Sequence, residues 1–302
     1  MEAISSEIDY FDNIIDWLIS NPALYTANTE SVKMSGFLKK MDEFDLDDYI
    51  RVIHFDELKV PSVPFQLPTT KTYYGVKEMC EGELDFFKST FLSKSMKPIF
   101  MHSDMAMTDM AEDMEFNKKW MFGIAMSIKK GLYINIIHCL DRPFDELMLG
   151  LEAWIPIYMT GQISPYHLPD NTSKVYHHLN YVSGTVALCG ECIDGFHGDG
   201  KYELTNNKEA VAYFQRKAEH VLSKAEPLMN IFDTTRAKEY MKSHTNYTLK
   251  VTDITAFRNI QIQILENQYV VVSKAKAPVI HFVIKHPVMV NALQNFDIAV
   301  IE

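Results

Sequence analysis

Between Gly131 and Pro169 the chain reads GLYINIIHCLDRPFDELMLGLEAWIPIYMTGQISPYHLP. A short apolar run, Leu132 to Ile137, has the length and composition of a buried strand. It gives way to a helix over Pro143 to Trp154, with proline at the first turn and acids close behind. Just upstream, Val76 to Leu92 fits a long helix and Ile99–His102 a strand. A further helix over Glu115 to Lys130 stops at Gly131, with two lysines in its last turn. Strands alternating with helices in this way indicate an α/β layer with a mainly parallel sheet. In such sheets ligands bind beyond the carboxyl ends of the strands. His138, Asp141, Arg142, Asp145 and Glu146 stand there, directly after a run that should be buried.

Around this layer the sequence suggests flanking parts. Residues 1–60 read as an N-terminal helical segment: IDYFDNIIDWLI puts Ile8, Phe11, Ile15, Leu18 and Ile19 on one face, a second stretch runs from Val32 to Met41, and a third helix lies near Tyr49 to Leu58. Prolines 61, 64 and 68 mark 61–72 as an extended linker. The α/β domain is expected over 73–230, with later strands at Ser164–Leu168, Tyr176–Val182 and Thr185–Leu188 and a long helix over Asn207 to Ala225. A small C-terminal α+β unit over 231–302 contains a hairpin, NIQIQIL and QYVVVSK about a turn at Glu266-Asn267. The strand VIHFVI and a final helix from Pro287 to Phe296 complete it.

Charge narrows the functional classes. Forty acidic against twenty-nine basic side chains leave a net −11, which opposes non-specific attraction to nucleic acid or to an anionic membrane surface. No apolar run approaches the roughly 20 residues of a spanning helix, and no signal peptide is visible, so a cytoplasmic location without membrane partners is expected. The four cysteines, Cys80, Cys139, Cys189 and Cys192, fit a reducing compartment.

His138 can serve as nucleophile or base and Arg142 as a bidentate clamp for phosphate or carboxylate. The structural alternative satisfies the histidine with a carbonyl and pairs Arg142 with Asp141 or Glu146. His102-Ser103-Asp104 follows another strand of the layer; Asp104 and Asp141 would share an edge if the two strands are neighbours, whereas Ser103 or Asp104 could instead cap a short helix at Met105. Trp154 and Tyr158, with Tyr166 and Tyr176, could wall the same cavity or belong to the core. Ser103, Asp104, His138, Asp141, Arg142, Glu146, Trp154 and Tyr158 are thus the candidate ligand-binding set. Cys189-Gly-Glu-Cys192 is the alternative metal pair, but zinc would need further ligands, with His197 one scattered candidate, and inert turn cysteines are the plainer reading. No P-loop, GxGxxG or Gly-x-Ser-x-Gly pattern occurs, and no cofactor is implied.

KPIFMHSDMAM, GLYINIIHCLDRPFDELMLGLEAWIPIYMTGQISPYHL, PLMNIF and YVVVSKAKAPVIHFVIKHP resemble the long C-terminal region of certain Xre-type regulators of Firmicutes, with TTKTYYGVKEM similar to its lead-in. The resemblance spans about residues 69–302. It implies a sensor region that follows a helix-turn-helix DNA reader; residues 1–60 are acidic and carry no basic recognition helix. The α/β part also resembles the phospholipase D-like fold, implying a mixed sheet with flanking helices. In that fold a strand ends in H-x-K-x4-D. His138 and Asp145 keep the separation, but Leu140 stands at the lysine position, and His177-His178 supplies no second copy. Losing the lysine removes charge stabilisation of a phosphodiester oxygen.

The expectation is therefore a non-enzymatic module of a bacterial transcriptional regulator that senses a small-molecule or peptide effector, or a protein partner. It would bind no nucleic acid directly, and a homodimer is compatible with it. The alternative is a divergent phosphodiesterase using His138 and Asp145.

Overall fold

A computed structural model describes residues 30–45, 48, 69–105, 114–140, 144–169, 175–244, 251–254, 257–265, 269–276 and 278–294. In chain order these form α1 (Glu30–Glu43), β1 (Thr70–Tyr74), α2 (Gly75–Leu92), β2 (Ile99–Ser103), α3 (Met114–Lys129) and β3 (Ile134–His138). There follow α4 (Phe144–Ala153), α5 (Ile155–Tyr158), β4 (Ile163–His167), β5 (Tyr176–Val182), β6 (Ala187–Ile193), β7 (Lys201–Thr205) and α6 (Lys208–Leu222). The remainder comprises β8 (Glu226–Pro227), β9 (Met229–Asp233), α7 (Ala237–His244), β10 (Val251–Ile254), β11 (Ile260–Leu265), β12 (Tyr269–Lys274), β13 (Ile280–Ile284) and α8 (Pro287–Gln294). The helices expected over Ile8–Ile19 and near Tyr49, and the proline linker up to position 68, fall outside the described residues. The described residues gather into two compact units: one from Glu57–Asp141 and Pro165–Glu226, the other from Met1–Asp56, Arg142–Ser164 and Pro227–Glu302.

The first unit is an α/β layer built on a mixed sheet of order β1-β7-β6-β5-β2-β3-β4-β8. The parallel pair β2–β3 is joined through α3, as a crossover requires. The ladders β1–β7, β7–β6, β6–β5 and β5–β2 are antiparallel, so the sheet is not mainly parallel. The reason is local: β5, β6 and β7 follow one another through connections too short for a crossover. One face packs an aromatic cluster from α2 and α3, with Phe86 and Tyr181 rings 5.6 Å apart and Phe87 and Trp120 at 5.5 Å. The other face sets Phe100, Ile137, Val182 and Ala187 against Val211 and Ala218 of α6. That helix starts where the sequence placed it, because the Asn207 side chain accepts from the amides of Glu209 and Ala210.

Gly190 lies mid-strand in β6 opposite Tyr202. A Cβ there would come within 2.3 Å of the Lys201 carbonyl oxygen and 2.5 Å of the Tyr202 ring. Backbone cannot yield as a flexible side-chain tip does, so Gly190→Ala should lower stability by about 1–3 kcal/mol in a urea melt. An unchanged midpoint would refute this.

The second unit holds an antiparallel sheet of order β10-β11-β12-β13-β9. The expected hairpin is present: β11 and β12 pair from Ile260↔Lys274 to Leu265↔Tyr269, while the turn residues 266–268 fall outside the described residues. The Tyr269–Val272 run is buried on both sides of its strand, which explains its unbroken hydrophobicity. Met34, Phe37, Leu38 and Met41 of α1 are buried at helical spacing, and Met289, Val290, Ala292 and Leu293 of α8 likewise. No helix among the described residues is long and apolar enough to cross a membrane.

Candidate ligand-binding site

The ends of β2 and β3 meet as the sequence suggested. Their parallel register sets Ser103 beside His138, both half-buried, at the carboxyl end of the pair. Asp104 follows immediately and is buried. Its amide donates to the His178 carbonyl at 3.2 Å, its carboxylate accepts from the His178 amide, and Oδ2 stands 3.3 Å from His178 Nδ1. Asp104 thus fastens the end of β2 to β5, a residue 74 positions away. Ser103 Oγ accepts from the Met105 amide at 3.4 Å, and the short helix the capping alternative needs falls outside the described residues. Trp154 and Tyr158 lie in the second unit, where their rings stack with centroids 6.3 Å apart and Tyr158 is buried. Asp141 and Arg142 fall outside the described residues, and Asp145 and Glu146 are described only as backbone of α4.

A different set of side chains makes a cavity in the first unit. Alternation along β2 turns Phe100 and His102 to the α6 side, where β5 sets Val182 and Asn180 directly opposite them. With Phe214, Lys217, Ala218 and Val221 of α6 they line a small cleft, partly open to solvent, of about 20 Å³. Its walls are mostly apolar, and three polar groups converge on it. Lys217 Nζ donates to Asn180 Oδ1 at 3.4 Å. Burial holds the His102 imidazole below its ordinary range; Asp104 pulls in the opposite direction, and His178 and Lys217 add to the depression. A neutral imidazole offers one donor and one acceptor, the amide offers both, and the ammonium offers charge. That combination can hold a small anionic group at the mouth of the cleft.

The sequence singled out Ser103 and Asp104 as candidates but not the adjacent His102, nor Asn180 and Lys217. The useful signal was the alternation Phe100-x-His102 across from Asn180-x-Val182; Lys217 becomes visible only once α6 is laid over the sheet.

The CxxC motif is neither a turn nor a chelating pair. Cys189 and Cys192 both lie in β6, and three residues along a strand carries side chains to opposite faces. Cys189 joins the α6-side core, where burial pushes its thiol up to about 12. Cys192 is buried on the other side, 3.7 Å from Met105 Sδ. Among the described residues, the grouping with metal-ligand geometry is His177, Asp194 and His197.

No family model and no curated protein matches this chain. Among solved structures it is similar to TrmBL2, an archaeal chromatin protein showing a novel mode of DNA binding, at 13% identity and TM-score 0.39; the match spans 60% of this chain and 60% of that one. It is also similar to NucT from Helicobacter pylori, at 7% identity and TM-score 0.35, over 52% of this chain and 98% of that one. At these levels neither likeness carries an argument about the present chain.

Proposed function

We propose that the α/β unit is a non-enzymatic sensing module that takes a small anionic molecule at the mouth of the cleft between its sheet and α6. The observation supporting this is the convergence of His102, Asn180 and Lys217 on an otherwise apolar cavity. Lys217 would meet the anionic group, and His102 and Asn180 would fix its orientation at the mouth of the cleft. The regulatory setting we propose, a bacterial transcriptional regulator, rests only on the resemblance read from the motifs of residues 69–302. Enzymatic turnover is disfavoured because Leu140 stands where the phospholipase D-like pattern has its phosphate-binding lysine.

The test is a melting-temperature screen of the full chain against small carboxylates and organic phosphates. At least one compound should raise the midpoint of the wild type, and Lys217→Ala should abolish the rise while melting normally by itself. If no compound stabilises the wild type, or the variant responds equally, the cleft is not a sensor site. The chain should also leave bis(p-nitrophenyl) phosphate unhydrolysed; turnover that disappears in His138→Ala would overturn the non-enzymatic reading.

A further inference from the structure

A second constellation lies on the opposite face of the sheet from the cleft. We propose that His177, Asp194 and His197 form a binding site for a borderline divalent transition metal of the zinc and cobalt class. The three side chains come from three local structures. His177 stands near the start of β5, opposite Cys192. Asp194 follows β6, and its amide donates to the Val175 carbonyl at 3.0 Å, which continues the ladder past the end of the strand. His197 opens the short 3-10 turn His197–Asp199.

The chain between Asp194 and His197 is shaped to bring them together. Gly195 adopts φ +78°, and the Phe196 amide donates to the Ile193 carbonyl at 2.9 Å. A side chain at position 195 would strain in that conformation. The turn is secured beyond His197 as well, where the Gly75 amide donates to the Gly200 carbonyl at 2.8 Å.

Their ligand atoms all lie within 4.8 Å of one another. Asp194 Oδ1 is 3.1 Å from His177 Nε2 and 3.8 Å from His197 Nε2. A metal bonded at about 2.0–2.1 Å to each holds such atoms roughly 3.0–3.4 Å apart, so shifts of about an ångström would close the set. His177 is also oriented as a ligating histidine is: its Nδ1 lies 2.8 Å from the Asp104 carbonyl oxygen. A carbonyl and a carboxylate can only accept, so without metal the ring donates from Nδ1 to Asp104 and from Nε2 to Asp194; a metal that displaces the Nε2 proton leaves the Nδ1–H tautomer, with the Nε2 lone pair toward the other two ligands. That tautomer, fixed by an outer partner, is the usual support of a metal-bound imidazole.

Two imidazoles and one carboxylate select borderline metals over calcium or magnesium, which prefer all-oxygen shells. The Asp194 side chain is 64% exposed, so coordination positions remain for water or an incoming ligand. The cysteines take no part, since Cys189 faces the α6 side and Cys192 is buried against Met105 Sδ at 3.7 Å.

The test is titration of the chelator-treated full chain with Co²⁺, followed by the visible absorption of the bound ion and by competition with Zn²⁺. The wild type should show one saturable step, displaced by zinc. His197→Gln and Asp194→Asn, on the turn, should each weaken binding by at least roughly 10–100-fold; their metal-free melting temperatures should equal that of the wild type. A Cys189→Ser/Cys192→Ser variant should bind as the wild type does. Absence of a saturable step, equal affinity in the two turn variants, or loss confined to the cysteine variant would each overturn the site. None of these outcomes bears on the α6-side cleft, whose own test uses no metal.

Discussion

Replacing Glu83 by Gln should flatten the pH dependence of stability of the α/β unit between about pH 4.5 and 8 and raise its melting temperature at the upper end. Glu83 sits in α2 with 0% exposure. Trp120 Nε1 donates to its Oε2 at 2.5 Å. Burial pushes the carboxyl group up to about 8, against the opposing pull of Trp120 and Tyr181. Across the window between the unfolded value, near 4.3, and the folded one, the native state keeps a proton that the unfolded chain gives up. Stability tied to this group is therefore fully present below the unfolded value and is lost as pH rises through about 8. The swing is on the order of 5 kcal/mol at its upper bound, at about 1.4 kcal/mol per unit. A glutamine retains an oxygen to accept from Trp120 and carries no charge to bury. Thermal melts of both proteins at pH 5 and pH 8 decide the matter: parallel slopes would show that Glu83 is already ionised in the folded chain.

Asp42→Ala should cost about 3 kcal/mol in the transition that unfolds the second unit. Asp42 ends α1 and is 8% exposed. Its carboxylate accepts from the Asn259 amide at 2.5 Å and the Ile260 amide at 2.9 Å, while its carbonyl accepts from Lys274 Nζ at 2.8 Å. Lys274 is 1% exposed, and burial lowers its pKa while Asp42 partly restores it. Removing the carboxylate leaves two amides without their acceptor and a buried ammonium without the charge that most offsets its burial, and each is more costly than the interaction was favourable. Combining Asp42→Ala with Lys274→Met should recover part of the loss, because an apolar side chain needs no partner. Urea denaturation of the two single variants and the double variant gives the coupling; strict additivity would show that the lysine does not depend on Asp42.

The candidate site divides along similar lines. The condition that the two strands be neighbours is met, since β2 and β3 run side by side, while Asp141, expected to share their edge with Asp104, falls outside the described residues. Asp104 carried two readings, and the structure adds a third, a clasp on His178. Nothing in HSDMAM indicates that the partner would be a histidine 74 positions later. The cysteine motif misleads because its spacing suits a turn, whereas it lies on a strand that separates the two thiols. His177 and His197 are plain in the sequence, yet only the turn at Gly195 brings the second within reach of the first.

What the sequence determined by itself is the set of local elements: α6 from its Asn207 cap, the β11–β12 hairpin from alternating residues, α2 and α8 from apolar periodicity. Each depends on interactions between residues a few positions apart, and their energies are written in adjacent side chains. Tertiary structure alone decided the antiparallel character of most of the sheet, the cleft shared by His102 and Lys217, and the buried contact of Asp42 with Lys274, 232 residues away. Those depend on which surfaces the packed elements bring together, and a buried charge has no local signature until the chain has closed over it.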